Sequence, residues 1–153
     1  MIATDTQAAL AHHPFLAGLD DSTLELISSC AQMVGVPADQ CMFHAGQPAD
    51  AFYLILSGRV TVEMERGQAD GHVCIQTIGP GEVLGWSALT PPYRWRFMAK
   101  VLEPVRAVEL NSAALRQLCQ EHHELGFEVY RRLVGVVSER LTATWEQLLE
   151  HLE

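Results

Sequence analysis

Arg94 and Arg96 stand two residues apart at the end of Gly79–Arg96, a stretch whose three glycines and three prolines are too many for one regular element. Their chemistry, beside a glycine-rich turn, is anion binding. Backbone N–H groups near a short helix start can point at a phosphate, and a guanidinium adds a fixed positive fork. Gly85, Trp86, Ser87, Ala88, Leu89, Arg94, Trp95 and Arg96 are therefore the candidate ligand-binding residues. A decorated loop between two strands is the plainer use of the same residues. Glu82 beside the arginines reads as a turn-stabilising side chain. No nucleophile–base–orienter set stands out, so no enzymatic activity is expected.

Charge narrows the ligand. The chain of 153 residues carries 10 Lys and Arg against 19 Asp and Glu, a net −9. That excludes nonspecific nucleic-acid binding, which needs many cations facing phosphates. Arg94, Arg96, Lys100 and Arg106 crowd one segment, and a local positive spot in an acidic chain favours a small anion over a polyanion. Cys30, Cys41, Cys74 and Cys119 are widely spaced, with no metal-binding pair, and are expected to be reduced and mostly buried. The adjacent pairs His12-His13 and His122-His123 point in different directions on a helix and are expected at the surface or at helix ends, with no metal. The apolar runs fall far short of a membrane span, and no leader-like segment opens the chain, so a cytoplasmic protein is expected.

The elements that must position the loop are mainly short strands. Residues 1–13 read as a loose helix. Asp20-Asp-Ser-Thr-Leu-Glu25 starts a second one, capped by Ser22 with Glu25 or by an aspartate. From Met33 onward, β-type runs alternate with turns: Met33–Val36, Cys41–His44, Ala51–Leu56, Arg59–Glu65 and the run through Val73, Ile75 and Ile78. Ser57-Gly58 predicts a hairpin, and residues 67–71 predict a polar turn. Trp95–Leu102 and Val105–Leu110 supply the last strands. Such spacing predicts an antiparallel sandwich or jelly-roll barrel.

Asn111-Ser112 caps a helix over about 113–120, and a second helix continues almost to the end. In that helix Phe127, Tyr130, Val134, Val137, Leu141, Thr144 and Leu148 are spaced 3, 4, 3, 4, 3, 4, a coiled-coil seam. Leu125, Val129, Leu133 and Val136 form a second apolar face. One face can pack on the barrel and the other can meet a partner, so a homodimer is expected. The division expected is an extension over 1–12, the barrel with its flanking helices over 13–121, and the long helix over 122–153.

This order resembles the cyclic-nucleotide-binding domain, in the form of a Crp/Fnr-type effector domain without its DNA-binding domain. His13-Pro-Phe-Leu-Ala-Gly-Leu-Asp20 resembles the opening of that domain. Phe43-His-Ala-Gly-Gln-Pro-Ala-Asp-Ala-Phe-Tyr-Leu-Ile-Leu-Ser-Gly-Arg-Val60 resembles its core signature, and Gly79-Pro-Gly-Glu-Val-Leu-Gly85 the start of its phosphate-binding cassette. The resemblance implies an eight-stranded barrel, a cAMP or cGMP ligand, an arginine on the cyclic phosphate, a glutamate on the ribose, and a long helix that closes over the base and dimerises.

The cassette departs from that pattern. Trp86 stands where the family has the ribose glutamate, and an indole has one N–H donor and no acceptor. Arg94 and Arg96 compete for the phosphate, and neither precedes the usual two small residues. The clustered cysteines of iron–sulfur sensors and the metal ligands of cupins have no counterpart here. Two readings follow. One is a regulatory domain that binds a cyclic nucleotide and signals through a separate protein partner, with no helix-turn-helix segment and no membrane. The other is a degenerate barrel serving as a dimeric accessory subunit, since its Gly-Trp-Ser cassette resembles that of small accessory proteins of redox enzymes such as soluble hydrogenases.

Overall fold

The computed structural model describes residues 2–65 and 71–152. The expected turn over 67–71 lies outside these except for Gly71. Helix α1 (Ile2–His12) leads through a 3₁₀ turn (Pro14–Leu16) to α2 (Asp21–Ser28). Among the described residues six strands follow: β1 (Ala31–Val36), β2 (Cys41–Phe43), β3 (Ala51–Glu65), β4 (His72–Ile78), β5 (Val83–Leu84) and β6 (Met98–Asn111). A 3₁₀ turn (Trp86–Leu89) lies between β5 and β6, and α3 (Ser112–Glu121) and α4 (His123–Leu152) close the chain. Among the described residues no helix is long and apolar enough to cross a membrane.

The strands form one antiparallel sheet, ordered β1-β6-β3-β4, with β2 also pairing β6 and β5 pairing β3. It is jelly-roll-like and does not close into the expected barrel. The eight strands become six because β3 and β6 each do the work of two. They pair from Ala51↔Asn111 to Glu63↔Met98. The first half of β3 lies beside β5 and the second half beside β4. The Ser57-Gly58 hairpin is therefore corrected to a bulge inside β3. The register shifts around Ser57 and Arg59, Gly58 takes φ +90°, and the backbone of Pro104 on β6 crosses where its Cβ would stand. That positive φ favours glycine, and a bulge bends a strand without ending it. Trp95–Phe97 also precede β6 instead of opening it.

Phe52, Leu54, Ile55, Val60, Val101 and Val108 make the centre of the core, and Phe15 packs on Phe52 with ring centroids 5.5 Å apart. Asp20 caps α2 by accepting from the Thr23 N–H at 2.8 Å, which settles the capping alternatives. Asn111 caps α3 through Ala114 N–H. On α4, Leu125, Val129 and Leu133 are buried as expected.

Two surface expectations need correction. His13 is buried, because its ring straps the 3₁₀ turn to the sheet. Nδ1 accepts from Phe15 N–H at 3.1 Å, which leaves Nε2–H to donate to Ile55 O at 3.2 Å. The cysteines are free, but none is fully buried: Cys41 and Cys74 lie exposed on strands, and Cys30 and Cys119 are half-buried, their thiols pushed up to about 11 by burial.

Candidate functional site

The turn at Gly79–Gly81 hands the chain to β5. Glu82 accepts from Gly79 N–H at 2.8 Å, the turn-stabilising role its position suggests. Gly85 then takes φ +100° and starts the 3₁₀ turn. A Cβ on Gly85 would meet the Trp95 ring at 3.0 Å and Ala51 O at 3.2 Å. The glycine thus serves both the backbone turn and the close approach of an indole. Ser87, Ala88 and Leu89 are buried behind it.

Trp95 decides the character of the site. It is 5% exposed and lies flat on Phe43, with ring centroids 3.7 Å apart and planes 9° from parallel. Phe43, Gly85, Trp86, Ser87, Trp95 and Arg96 are thereby brought together, but the cavity among them measures about 30 Å³. Pockets for small-molecule ligands run roughly 300–1,000 Å³. The Trp95 ring, stacked on Phe43 and pressed against Gly85, fills the space beside the turn.

The two arginines are placed apart from one another's tasks. Arg94 is exposed and donates to Gly46 O at 2.9 Å, in a loop pairing where Pro48 bridges Arg94. Arg96 is also exposed. It donates to Pro91 O at 3.1 Å, and its guanidinium lies 5.0 Å from the Trp86 ring centroid, a cation–π contact. Of the pair, only Arg96 borders the small cavity.

The helices hold this loop by its carbonyls. Arg116 of α3 donates to Ala88 O at 2.7 Å and lies 4.0 Å from the Tyr93 ring centroid. Tyr130 of α4 donates to Leu89 O at 2.9 Å, and Arg140 of α4 donates to Val83 O. Tyr130 thus serves the cassette as well as the seam to which spacing assigns it, and burial raises its hydroxyl pKa. Burial lowers the Arg140 guanidinium from its ordinary value, with Glu82 and Glu139 opposing. Sequence reasoning missed Arg140. The signal was present: Leu125, Val129, Leu133, Val136 and Arg140 follow one another at 4, 4, 3 and 4, which puts Arg140 on the barrel-facing side.

Comparison with known proteins identifies the fold. The family model for the cyclic nucleotide-binding domain matches residues 33–122. The chain belongs to that family. An uncharacterized NTE family protein of Mycobacterium tuberculosis is 32% identical over 92% of this chain and 26% of its own length. A CRP-like cAMP-activated global transcriptional regulator of the same organism is 28% identical, over 92% of this chain and 61% of its own. The chain thus spans about a quarter of the first relative and three-fifths of the second. The solved structure of a cAMP-binding acyltransferase from Mycobacterium smegmatis superposes with a TM-score of 0.72 at 27% identity, covering 93% of this chain and 42% of that one.

Proposed function

We propose that the chain is a non-catalytic regulatory domain whose nucleotide cavity is closed by its own aromatic side chains, and which works as a homodimer presented to a protein partner. The observation that carries this reading is Trp95 stacked on Phe43 over Gly85, leaving about 30 Å³. A ligand could enter only by expelling an indole that is 5% exposed. Emptying such a core position costs about 3–5 kcal/mol. At about 1.4 kcal/mol per decade, that weakens binding roughly 10²- to 10⁴-fold.

The seam supports the dimer. Phe127, Val134, Leu141 and Leu148, spaced by sevens on α4, are 65%, 67%, 46% and 56% exposed. A continuous apolar stripe left to water on a long helix fits pairing with an identical helix. The names of the regulator and the acyltransferase describe cAMP as their ligand. A cAMP or cGMP ligand here would have to find its phosphate donor in Arg94 or Arg96, both already donating to backbone carbonyls.

Isothermal titration with cAMP and cGMP, beside light scattering of the same sample, tests the reading. The expected result is no heat at millimolar nucleotide and the mass of a dimer. Micromolar binding lost in Arg94→Ala or Arg96→Ala would overturn the closed cavity. A monomer at all concentrations would overturn the seam.

A further inference from the structure

Helix α4 leaves a second, larger space against the sheet. The groove between it, the outer edge of β4 and the Gly81–Val83 turn measures about 580 Å³, within the range of small-molecule sites. It shares only Gln76 and Arg140 with the cavity at the cassette.

Three features of this groove point the same way. Arg140 is largely withdrawn from water, donates to Val83 O, and forms no ion pair among the described residues. A guanidinium carries five N–H donors, so most of its capacity is unspent. Arg132, on the same wall, is already engaged by Glu128 at 3.1 Å and by Phe15 O at 2.9 Å. The helix also recedes at this point. A Cβ on Gly135 would meet nothing within 4 Å, and Ala143 is the next small residue on that face. Finally, β4 pairs only β3 among the described residues, so Gln76, Thr77 and Ile78, which line the groove, lie on a strand with no neighbour on its other side.

We propose that this groove binds a small organic molecule with one anionic group, a phosphate or a carboxylate, on an apolar body. Arg140 takes the anion, Phe15 and Val136 pack against the body, and the β4 edge orients it. Glu82 and Glu139 also line the groove and act electrostatically on Arg140, so they oppose negative charge that Arg140 does not itself contact, which disfavours a second anionic group and a polyanion such as nucleic acid. The groove shares Gln76 and Arg140 with the cassette cavity, and the residues that shift on titration tell the two apart.

The test is titration of the full chain with phenyl phosphate, benzoate and benzyl alcohol, followed by calorimetry and by amide chemical shifts. The expected result is saturable binding of at least one anion, with the largest shifts at Gln76, Gly81 and Gly135, and at least tenfold weaker binding of the alcohol. Arg140→Gln weakens the anion at least tenfold. Gly135→Leu, which fills open space and replaces a helix-interior glycine, does the same without lowering the unfolding temperature. Absence of saturation by about 10 mM, where one charged contact is still measurable, would overturn the proposal. So would shifts centred on Ser87, Ala88 and Trp95, or binding indifferent to Gly135→Leu.

Discussion

Trp95→Ala separates the roles of the cassette more sharply than any other single change. The side chain is 5% exposed, stacks on Phe43 at 3.7 Å and presses on Gly85. Truncating a buried Trp costs about 3–5 kcal/mol, because transfer energy is lost and a cavity remains. For a chain of this length each 1 kcal/mol moves the unfolding midpoint by about 2–4 °C, so a fall of about 6–20 °C is expected in thermal unfolding followed by circular dichroism. The space vacated by the indole lies against the Phe43 ring, a flat apolar wall that an aromatic guest can cover. Millimolar indole should therefore raise the midpoint of Trp95→Ala and leave the unsubstituted protein unmoved. A fall of less than about 2 °C would mean that the stack contributes little. Equal indole stabilisation of both proteins would mean that the cavity is open already. Either result would refute the argument that Trp95 is the plug.

Three further outcomes follow from particular contacts. His13 has its pKa lowered by burial, so the unfolded chain binds its proton first. The stability it contributes is complete above pH 6.5 and declines as pH falls toward the lowered folded value, by at most about 1.4 kcal/mol per pH unit. Urea unfolding from pH 7.5 to 5 should show that slope, reduced in His13→Gln. Gly58→Ala forces an L residue to φ +90° with its Cβ on the Pro104 backbone, and should cost about 3 kcal/mol in urea unfolding. Gly35→Ala, whose Cβ would meet only Val105 O at 3.8 Å, should cost far less. Leu141→Glu puts a charge in the seam at a residue 46% exposed in the single chain, and should give a monomer by light scattering, with secondary structure kept.

How much of this was legible follows from what each signal depends on. Local signals carried well: the caps at Asp20 and Asn111, the buried face of Leu125, Val129 and Leu133, and the turn made by Glu82 are all settled within a few residues. Pairing over long range did not carry. Gly58 looks like a hairpin because a positive φ suits a turn and a bulge equally. What distinguishes the two is β6 continuing past it, more than forty positions later in the chain. The histidine pair failed for a related reason. The helix ends at His12, so His13 belongs to the next element and turns inward to Ile55 O.

The candidate site was legible in composition and silent in volume. Sequence spacing places Trp86, Trp95 and the arginines at one loop, and the fold does gather most of them. Whether an indole lines a cavity or fills it depends on what lies opposite, and Phe43 comes from another strand. The same limit hid Arg140. A charge in a helical pattern reads as solvent-facing, yet here Val83 O and a withdrawn groove receive it. Three side chains from α3 and α4 grip the Val83–Leu89 carbonyls. On the reading proposed above, a helix fastened to the cassette in this way leaves a cyclic nucleotide little closing to induce, since a ligand shifts an equilibrium only by its differential affinity for the two states. If this domain is regulated by a small molecule, Arg140, which forms no ion pair among the described residues, is where the differential contact can be made.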